Sequence, residues 1–183
     1  MRYFVAFAAM LGLLFVVLFL LFHHGGGSKP LTPPSLLSYS TTDAEAQLTI
    51  DGPVNADQNH QSVQITVDNN SVTFQQFQGY QGTAVNTQSF ANNDNAYANF
   101  LLALAHAGFT LGSNNPALSD ERGYCAAGDR YVFQLTQDGT TIERYWATSC
   151  GSPKTYLGNV ILTLDLFQAQ VPNYSQLVAG LAL

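Results

Sequence analysis

Charged residues are scarce in this sequence. Lysine and arginine together number 6, aspartate and glutamate 12, and the charged fraction of 10% lies far below the level of about 25% in typical soluble domains. The cations form no cluster, and the net charge of -6 repels phosphate backbones. Because nucleic-acid binding depends on counterion release by clustered cations, the composition argues against nucleic-acid partners. Asn and Gln outnumber the charged residues, so we expect a neutral, polar surface.

Catalytic and metal-binding motifs are missing as well. The sequence lacks the G-x-S-x-G serine motif, the H-E-x-x-H zinc motif and the phosphate-binding pattern G-x-x-x-x-G-K-[ST]. A metal held by His60 and His106 together with a carboxylate stays an alternative. The sequence therefore predicts no cofactor, no metal and no catalytic residue, which favours a non-enzymatic role.

One long apolar run stands at the N-terminus. Residues 3–22 carry no charge, and a helix of this length spans about 30 Å, the thickness of a bilayer core. We predict a transmembrane signal anchor over residues 1–24, with residues 3–22 in contact with the lipid bilayer. A cleaved signal peptide is the alternative, but its apolar region usually has only about 7–15 residues. Arg2 before the run, with Lys29 the first cation after it, predicts a cytoplasmic N-terminus and an extracytoplasmic domain at the cell membrane.

A linker and one domain follow the anchor. Residues 25–42 begin with Gly-Gly-Gly-Ser and contain three prolines, which predicts a flexible linker. The remaining length suits a single domain over residues 43–183. The domain holds both cysteines of the chain, Cys125 and Cys150. They form no C-x-x-C motif, so we favour a structural disulfide in an oxidising compartment over a reactive thiol or redox pair.

The pattern of apolar residues predicts an α+β fold. A two-residue period indicates a short strand around residues 47–50, a hairpin over 62–76 and a third meander strand over 83–89. Residues 130–135 and 141–148 read as a second hairpin around the turn Asp138-Gly139, with Tyr131 facing Trp146. Strands and helices are segregated along the chain and do not alternate. This order predicts an antiparallel sheet that is built from the meander and the hairpin and covered by two or three helices.

Three helices are predicted between and after the strands. The apolar stripe over 96–107 indicates a helix that begins at a cap among residues 92–94 and ends at Gly108 in a Schellman motif with Phe109. Asn159 caps a second helix over 160–170. Asn173, with Gln176 three residues later, resembles a capping box that opens a short helix to about residue 181.

A ligand or partner surface is predicted on the second half of the domain. Tyrosine and tryptophan offer rigid amphipathic contact area, and arginine can lie over an aromatic ring. Lys154 lies in a segment of small residues, 149–159, that leads into a helix N-terminus. Such a segment could bind an anion, but without a phosphate-binding pattern we favour a simple connection between a strand and a helix. The candidate surface residues are Tyr124, Arg130, Arg144, Trp146 and Lys154.

The same half of the chain carries a set of distinctive motifs. They are Arg122-Gly123-Tyr124-Cys125, Gly128-x-Arg130-Tyr131, Arg144-Tyr145-Trp146-x-Thr148-Ser149-Cys150, Gly158-Asn159, and residues 166–170 (LFQAQ) with Pro172 and Tyr174. With these motifs the chain resembles a family of uncharacterised, single-pass, exported bacterial proteins. The resemblance implies export, anchoring and a disulfide, but the family has no known activity, so it implies no function.

Three functions remain open on the sequence alone. We favour a non-enzymatic binding or interaction module of the cell envelope, whose partner is an envelope protein or a cell-surface ligand. A small hydrolase is the first alternative, and a pocket that holds His60 or His106 beside a carboxylate or serine would favour it. A protease inhibitor that presents the loop 110–123 is the second. The oligomeric state is left open.

Overall fold

The computed structural model describes residues 35–183, so the predicted anchor and most of the predicted linker lie outside it. The described chain has the predicted α+β architecture, with one six-stranded antiparallel sheet and a few helices. It begins with a 3-10 helix, Leu36–Thr41, that buries Leu36, so the folded unit starts before Asp43. Among residues 35–183, no helix combines the length and the apolar character needed to cross a membrane.

The sheet joins the predicted meander to the predicted hairpin through β1. Its strand order is β4-β3-β2-β1-β5-β6, and all neighbouring strands are antiparallel. The first strand is thus central although it comes first in the chain, because the hairpin of the second half pairs with its free edge. The strands are β1 (Ala44–Asp51), β2 (Gln61–Val67), β3 (Ser71–Gln78), β4 (Thr83–Ala91), β5 (Arg130–Gln137) and β6 (Thr140–Thr148).

The two faces of the sheet differ in polarity because side chains alternate along each strand. On one face, β1 contributes Ala44, Ala46, Leu48 and Ile50, which are all buried. Helices cover this face and form the hydrophobic core with it. The opposite, outer face of β1 carries Gln47, Thr49 and, at the strand end, Asp51.

Helix α1, Asp94–Ala107, matches its predicted signals at both ends. The Asn93 side chain accepts a hydrogen bond of 3.0 Å from the Ala96 amide. Gly108 takes the left-handed conformation with φ of 79°, and the Phe109 amide donates to the Leu104 carbonyl at 3.0 Å. These bonds form the predicted Schellman motif, which satisfies carbonyls that the helix end leaves free.

The last two helices are only partly as predicted. Helix α2, Val160–Gln168, begins as expected with the Asn159 side chain accepting from the Leu162 amide at 3.1 Å. Helix α3 is only Tyr174–Leu177, and the capping box predicted at Asn173 does not form. Asn173 has a left-handed backbone, φ 57°, and its side chain makes no capping hydrogen bond. A capping residue normally has an extended backbone, so this left-handed conformation does not suit the predicted capping box.

The predicted register of the second hairpin is wrong by one residue. The turn at Asp138-Gly139 is as expected, but a bulge follows between Leu135 and Thr136, so Tyr131 pairs with Ala147 and not with Trp146. A shift of one residue moves each side chain to the opposite face. Trp146 therefore lies on the outer face of the sheet, away from Tyr131.

Candidate functional site

Charged side chains gather at one end of the outer sheet face. Asp51 closes β1, Arg130 opens β5, and Ser62 lies near the start of β2. The register pairs Asp51 directly with both neighbours, since Ser62 and Arg130 are its partners on the two sides. Because paired residues share a face, the three side chains lie in a row at the sheet end.

Asp51 is the centre of a partly buried ionic network. Its Oδ1 atom lies 2.8 Å from Nε2 of His60, and its Oδ2 atom lies 2.5 Å from Nη2 of Arg130. The side chains of His60 and Arg130 are only 4% and 3% exposed, whereas that of Asp51 is 29% exposed. Nη2 of Arg130 also donates to the Gly52 carbonyl at 2.8 Å. Nε of Arg130 is buried without a partner among the described residues.

His60 is held by acceptors at both ring nitrogens. Nε2 faces the Asp51 carboxylate, and Nδ1 lies 3.2 Å from the Pro53 carbonyl oxygen. A carboxylate and a carbonyl only accept hydrogen bonds, so neither ring nitrogen faces a group that could give up a proton. A general base needs a free nitrogen that faces the proton it removes. The geometry therefore gives His60 a structural role as a bridge between β1 and the loop that precedes β2.

The Tyr80 ring covers the imidazole. Tyr80 lies in the turn between β3 and β4, where Gly79 and Gly82 supply the left-handed conformations with φ of 73° and 64°. Its ring stacks on His60 with centroids 4.1 Å apart and planes 13° apart. Tyr80 as a residue is nonetheless 50% exposed, so the stack on His60 leaves a large part of it open to solvent.

The turn that carries Tyr80 forms one wall beside the ionic network, and the loop before β5 forms a second wall. The Glu121 carboxylate receives both of its hydrogen bonds, each 2.8 Å long, from Nη2 of Arg144. Arg122 binds Asp120 at 2.6 Å in an exposed pair, and its hydrogen bonds lower the pKa of Asp120 to about 2. Gly123 follows without a side chain, which leaves space between this wall and Arg130.

The network and the two walls enclose an open cavity of about 380 Å³. This volume falls within the range of about 300–1,000 Å³ that is usual for small-molecule sites. Its lining combines four charged residues, a histidine, an aromatic ring and three glycines. The lining residues are Asp51, Val54, His60, Ser62, Gly79, Tyr80, Gly82, Glu121, Arg122, Gly123 and Arg130.

The five residues predicted as a ligand surface are not exposed together. Arg130 is buried in the cavity network, and Trp146 is buried with only 1% exposure. Tyr124 stacks on Trp146 at 5.2 Å between centroids, and Arg144 pairs with Glu121. Lys154 is exposed in the connection after β6. The one-residue register shift explains part of this outcome, because it turns Trp146 under the loop that precedes β5.

That loop is fixed along its length. The Ser113 amide donates to the Thr155 carbonyl at 2.8 Å, and Nε1 of Trp146 donates to the Leu118 carbonyl at 2.7 Å. Between these points the chain forms a 3-10 helix, Pro116–Leu118. A smaller depression of about 270 Å³ lies between this loop and the side chains of Arg144 and Trp146.

The predicted disulfide is confirmed at the same end of the sheet. Cys125 and Cys150 are bonded, with Cα atoms 5.7 Å apart, and they join the loop before β5 to the end of β6. Ser149, next to Cys150, accepts a hydrogen bond of 2.9 Å from the Asp129 amide. The crosslink therefore fixes the loop that supplies the second wall of the cavity.

Sequence reasoning missed most of the cavity. It considered Arg130 as a surface residue and His60 as a metal ligand or as a hydrolase residue beside a carboxylate or serine, and it did not select Asp51 or Tyr80. The one available signal for Asp51 was the strand period, which extended by one residue would put it on the polar face at a strand end. Its pairing with Arg130 joins residues far apart in sequence, and no local pattern reports such a contact.

Within residues 35–183, no group of three or more His, Cys, Asp and Glu side chains is arranged to hold a metal.

Comparison with known proteins adds no family. No family model matches the chain, and no curated protein matches it.

Proposed function

We propose that this chain is a membrane-anchored, extracytoplasmic binding module of the cell envelope, which holds a ligand in the cavity at the sheet end without transforming it. The observation that carries the proposal is the state of the cavity's ionisable groups. Asp51, His60 and Arg130 are bound to one another, and Glu121 is bound to Arg144. Groups held in this way shape and polarise a site, but none of them is free to act as nucleophile or general base.

Two features support the placement of the domain outside the membrane. The uncharged run of residues 3–22 has the length of a bilayer-spanning helix. The Cys125–Cys150 disulfide suits an oxidising compartment, since cytosolic thiols are kept reduced. The resemblance to exported single-pass proteins agrees with this placement, with the N-terminus in the cytoplasm.

A hydrolase is the second candidate, because Ser62 lines the same cavity as His60 and Asp51. The arrangement contains the residue types of a serine triad. In such a triad, however, the nitrogen of the histidine that does not face the carboxylate faces the serine hydroxyl. In this domain that nitrogen, Nδ1, faces the Pro53 carbonyl. The binding role therefore fits the geometry better.

The protease-inhibitor alternative has less support. A peptide segment that pairs with the edge of another protein's sheet does so in an extended conformation. The exposed part of the loop 110–123 instead contains the 3-10 helix Pro116–Leu118.

The binding role is tested by measuring the Tm of the full chain in detergent micelles, with and without fractions of envelope extract. A ligand at about 100 times its Kd stabilises the folded state by about 2.7 kcal/mol, which raises Tm by roughly 5–10 °C for a domain of this size. Val54→Trp, in the exposed part of the cavity lining, should abolish the shift, whereas Leu37→Trp, at another exposed site that does not line the cavity, should preserve it.

Turnover and placement are measured separately. Hydrolysis of a panel of esters, peptides or glycosides that disappears in Ser62→Ala would replace the binding role with the hydrolase. For placement, we expect the full chain to resist carbonate extraction from membranes and to show no free thiol to a maleimide reagent. A chain that lacks residues 3–22 should be extracted and should react at both cysteines. Free thiols in the full chain would refute the placement.

A further inference from the structure

The ring of Tyr80 is unusually well fixed for an exposed aromatic side chain. Its hydroxyl donates to the Asn55 carbonyl at 2.9 Å and accepts from the Asn55 amide at 3.0 Å. Its own amide donates to Oδ1 of Asp57 at 2.7 Å, and one ring face stacks on His60. The residue is thus held at its hydroxyl, its backbone and one ring face, although half of its surface as a residue remains open to solvent.

A fixed and exposed aromatic ring suits binding better than it suits folding. Its open face removes little apolar surface from water in the free protein, so the core gains little from it. A ligand that covers this face would gain that burial. The contacts to Asn55, Asp57 and His60 already hold the Tyr80 side chain in one conformation, so binding would cost little further conformational entropy. Such preorganisation raises affinity.

The charges around the ring argue against an ionic ligand. Apart from His60, the cavity is lined by two acids, Asp51 and Glu121, and two arginines, Arg122 and Arg130, so the formal charges cancel. Each of these groups is also paired with a side chain of opposite charge. An ion entering the cavity would lose hydration and meet no net opposite charge.

A neutral molecule with hydroxyl groups and an apolar face satisfies both features. Hydroxyls donate and accept, so they can bond to carboxylates and to guanidinium groups within one small site. The C–H face of a sugar ring is apolar and flat enough to lie on an aromatic ring. The cavity of about 380 Å³ has room for a short saccharide.

We infer that the cavity at the sheet end binds a neutral saccharide, whose ring packs on the exposed part of Tyr80 while its hydroxyls bond to polar groups that line the cavity. This inference rests on the proposed binding function and names the class of ligand for that site. The saccharide is retained and released unchanged, and no bond is made or broken.

The inference is tested by calorimetric titration of the full chain with maltotriose and tri-N-acetylchitotriose. The chain is kept in a polyoxyethylene detergent, because sugar-based detergents would compete for the site. We expect Tyr80→Ala to weaken binding of the better saccharide at least tenfold. Tyr80→Phe keeps the ring and loses only the hydroxyl contacts, so we expect a change of less than about threefold. Val54→Trp should block binding.

A second measurement needs no variant of Tyr80. Saturation-transfer NMR with irradiation of the aromatic protons should transfer magnetisation to the C–H protons of the bound saccharide. Absence of transfer, together with equal affinity of Tyr80→Ala and the unaltered chain, would overturn the inference. Tighter binding of inorganic phosphate or choline than of either saccharide would also overturn it.

The two proposals fail in different ways. If neither saccharide binds but an envelope fraction still gives a Tm shift that Val54→Trp removes, then the ligand class is wrong and the binding function stands. If no fraction and no saccharide stabilises the chain, both proposals fail.

Discussion

Replacing Asp51 with Asn tests the ionic network directly. The Asp51 carboxylate accepts from His60 with one oxygen and from Arg130 with the other. Asparagine keeps the shape but has one acceptor oxygen, so its NH₂ group must face one of the two donors. The change also leaves the positive charge of Arg130, which is 3% exposed, without its counter-charge. We expect Asp51→Asn to destabilise the domain strongly.

The magnitude follows from the burial of the partners. Removing one partner of a fully buried ion pair typically costs about 3–5 kcal/mol. The Asp51 side chain is 29% exposed, so solvent screens part of the interaction, and we expect the lower end of this range. The free energy of unfolding falls by about 2 kcal/mol for each molar of urea. A loss of about 3 kcal/mol in that free energy therefore lowers the urea midpoint of unfolding by roughly 1.5 M.

The assay is urea unfolding followed by the fluorescence of Trp146, the single tryptophan, which reports on the domain alone. In an Arg130→Met background the buried charge is gone, so Asp51→Asn should cost only about 1 kcal/mol for the weakened bond to His60. Arg122→Ala breaks an ion pair whose arginine side chain is 84% exposed, and it should leave the midpoint unchanged. Equal losses for Asp51→Asn in the unaltered chain and in the Arg130→Met background would refute the reasoning.

Three further outcomes follow from the packing. Replacing Cys125 and Cys150 with serine opens a loop of 25 residues and should cost about 3 kcal/mol in the chain-entropy model; an unchanged urea midpoint would contradict this. Tyr124→Ala should uncover Trp146, so that its emission shifts to the red and acrylamide quenches it more, whereas Tyr124→Phe should keep the stacked ring and the original spectrum. Burial raises the pKa of Tyr174 to about 12, above about 10 in the unfolded chain, so its contribution to stability is complete below about pH 10 and is lost as the pH rises towards 12. Urea midpoints measured between about pH 9 and 12 should fall, and a flat profile would argue against this burial.

Local patterns predicted the elements but not the site. The caps of α1 and α2, the meander and the turn at Asp138-Gly139 all depend on residues within a few positions of each other, and these predictions were correct. The register of the second hairpin failed because the bulge at Leu135 inserts one residue, and period-two patterns do not report such an insertion. Trp146 was consequently assigned to the wrong face.

The sequence alone determined the α+β class, the disulfide partners and the positions of most strands and helices, because hydrophobic periodicity, capping residues and a single cysteine pair are local or countable properties. Tertiary structure alone decided the cavity. Asp51 meets Arg130 only because β5 pairs with the free edge of β1, and Tyr80 covers His60 only because the turn between β3 and β4 lies beside the start of β2. Pairing between distant segments is set by the packing of the whole core, which no short stretch of sequence encodes.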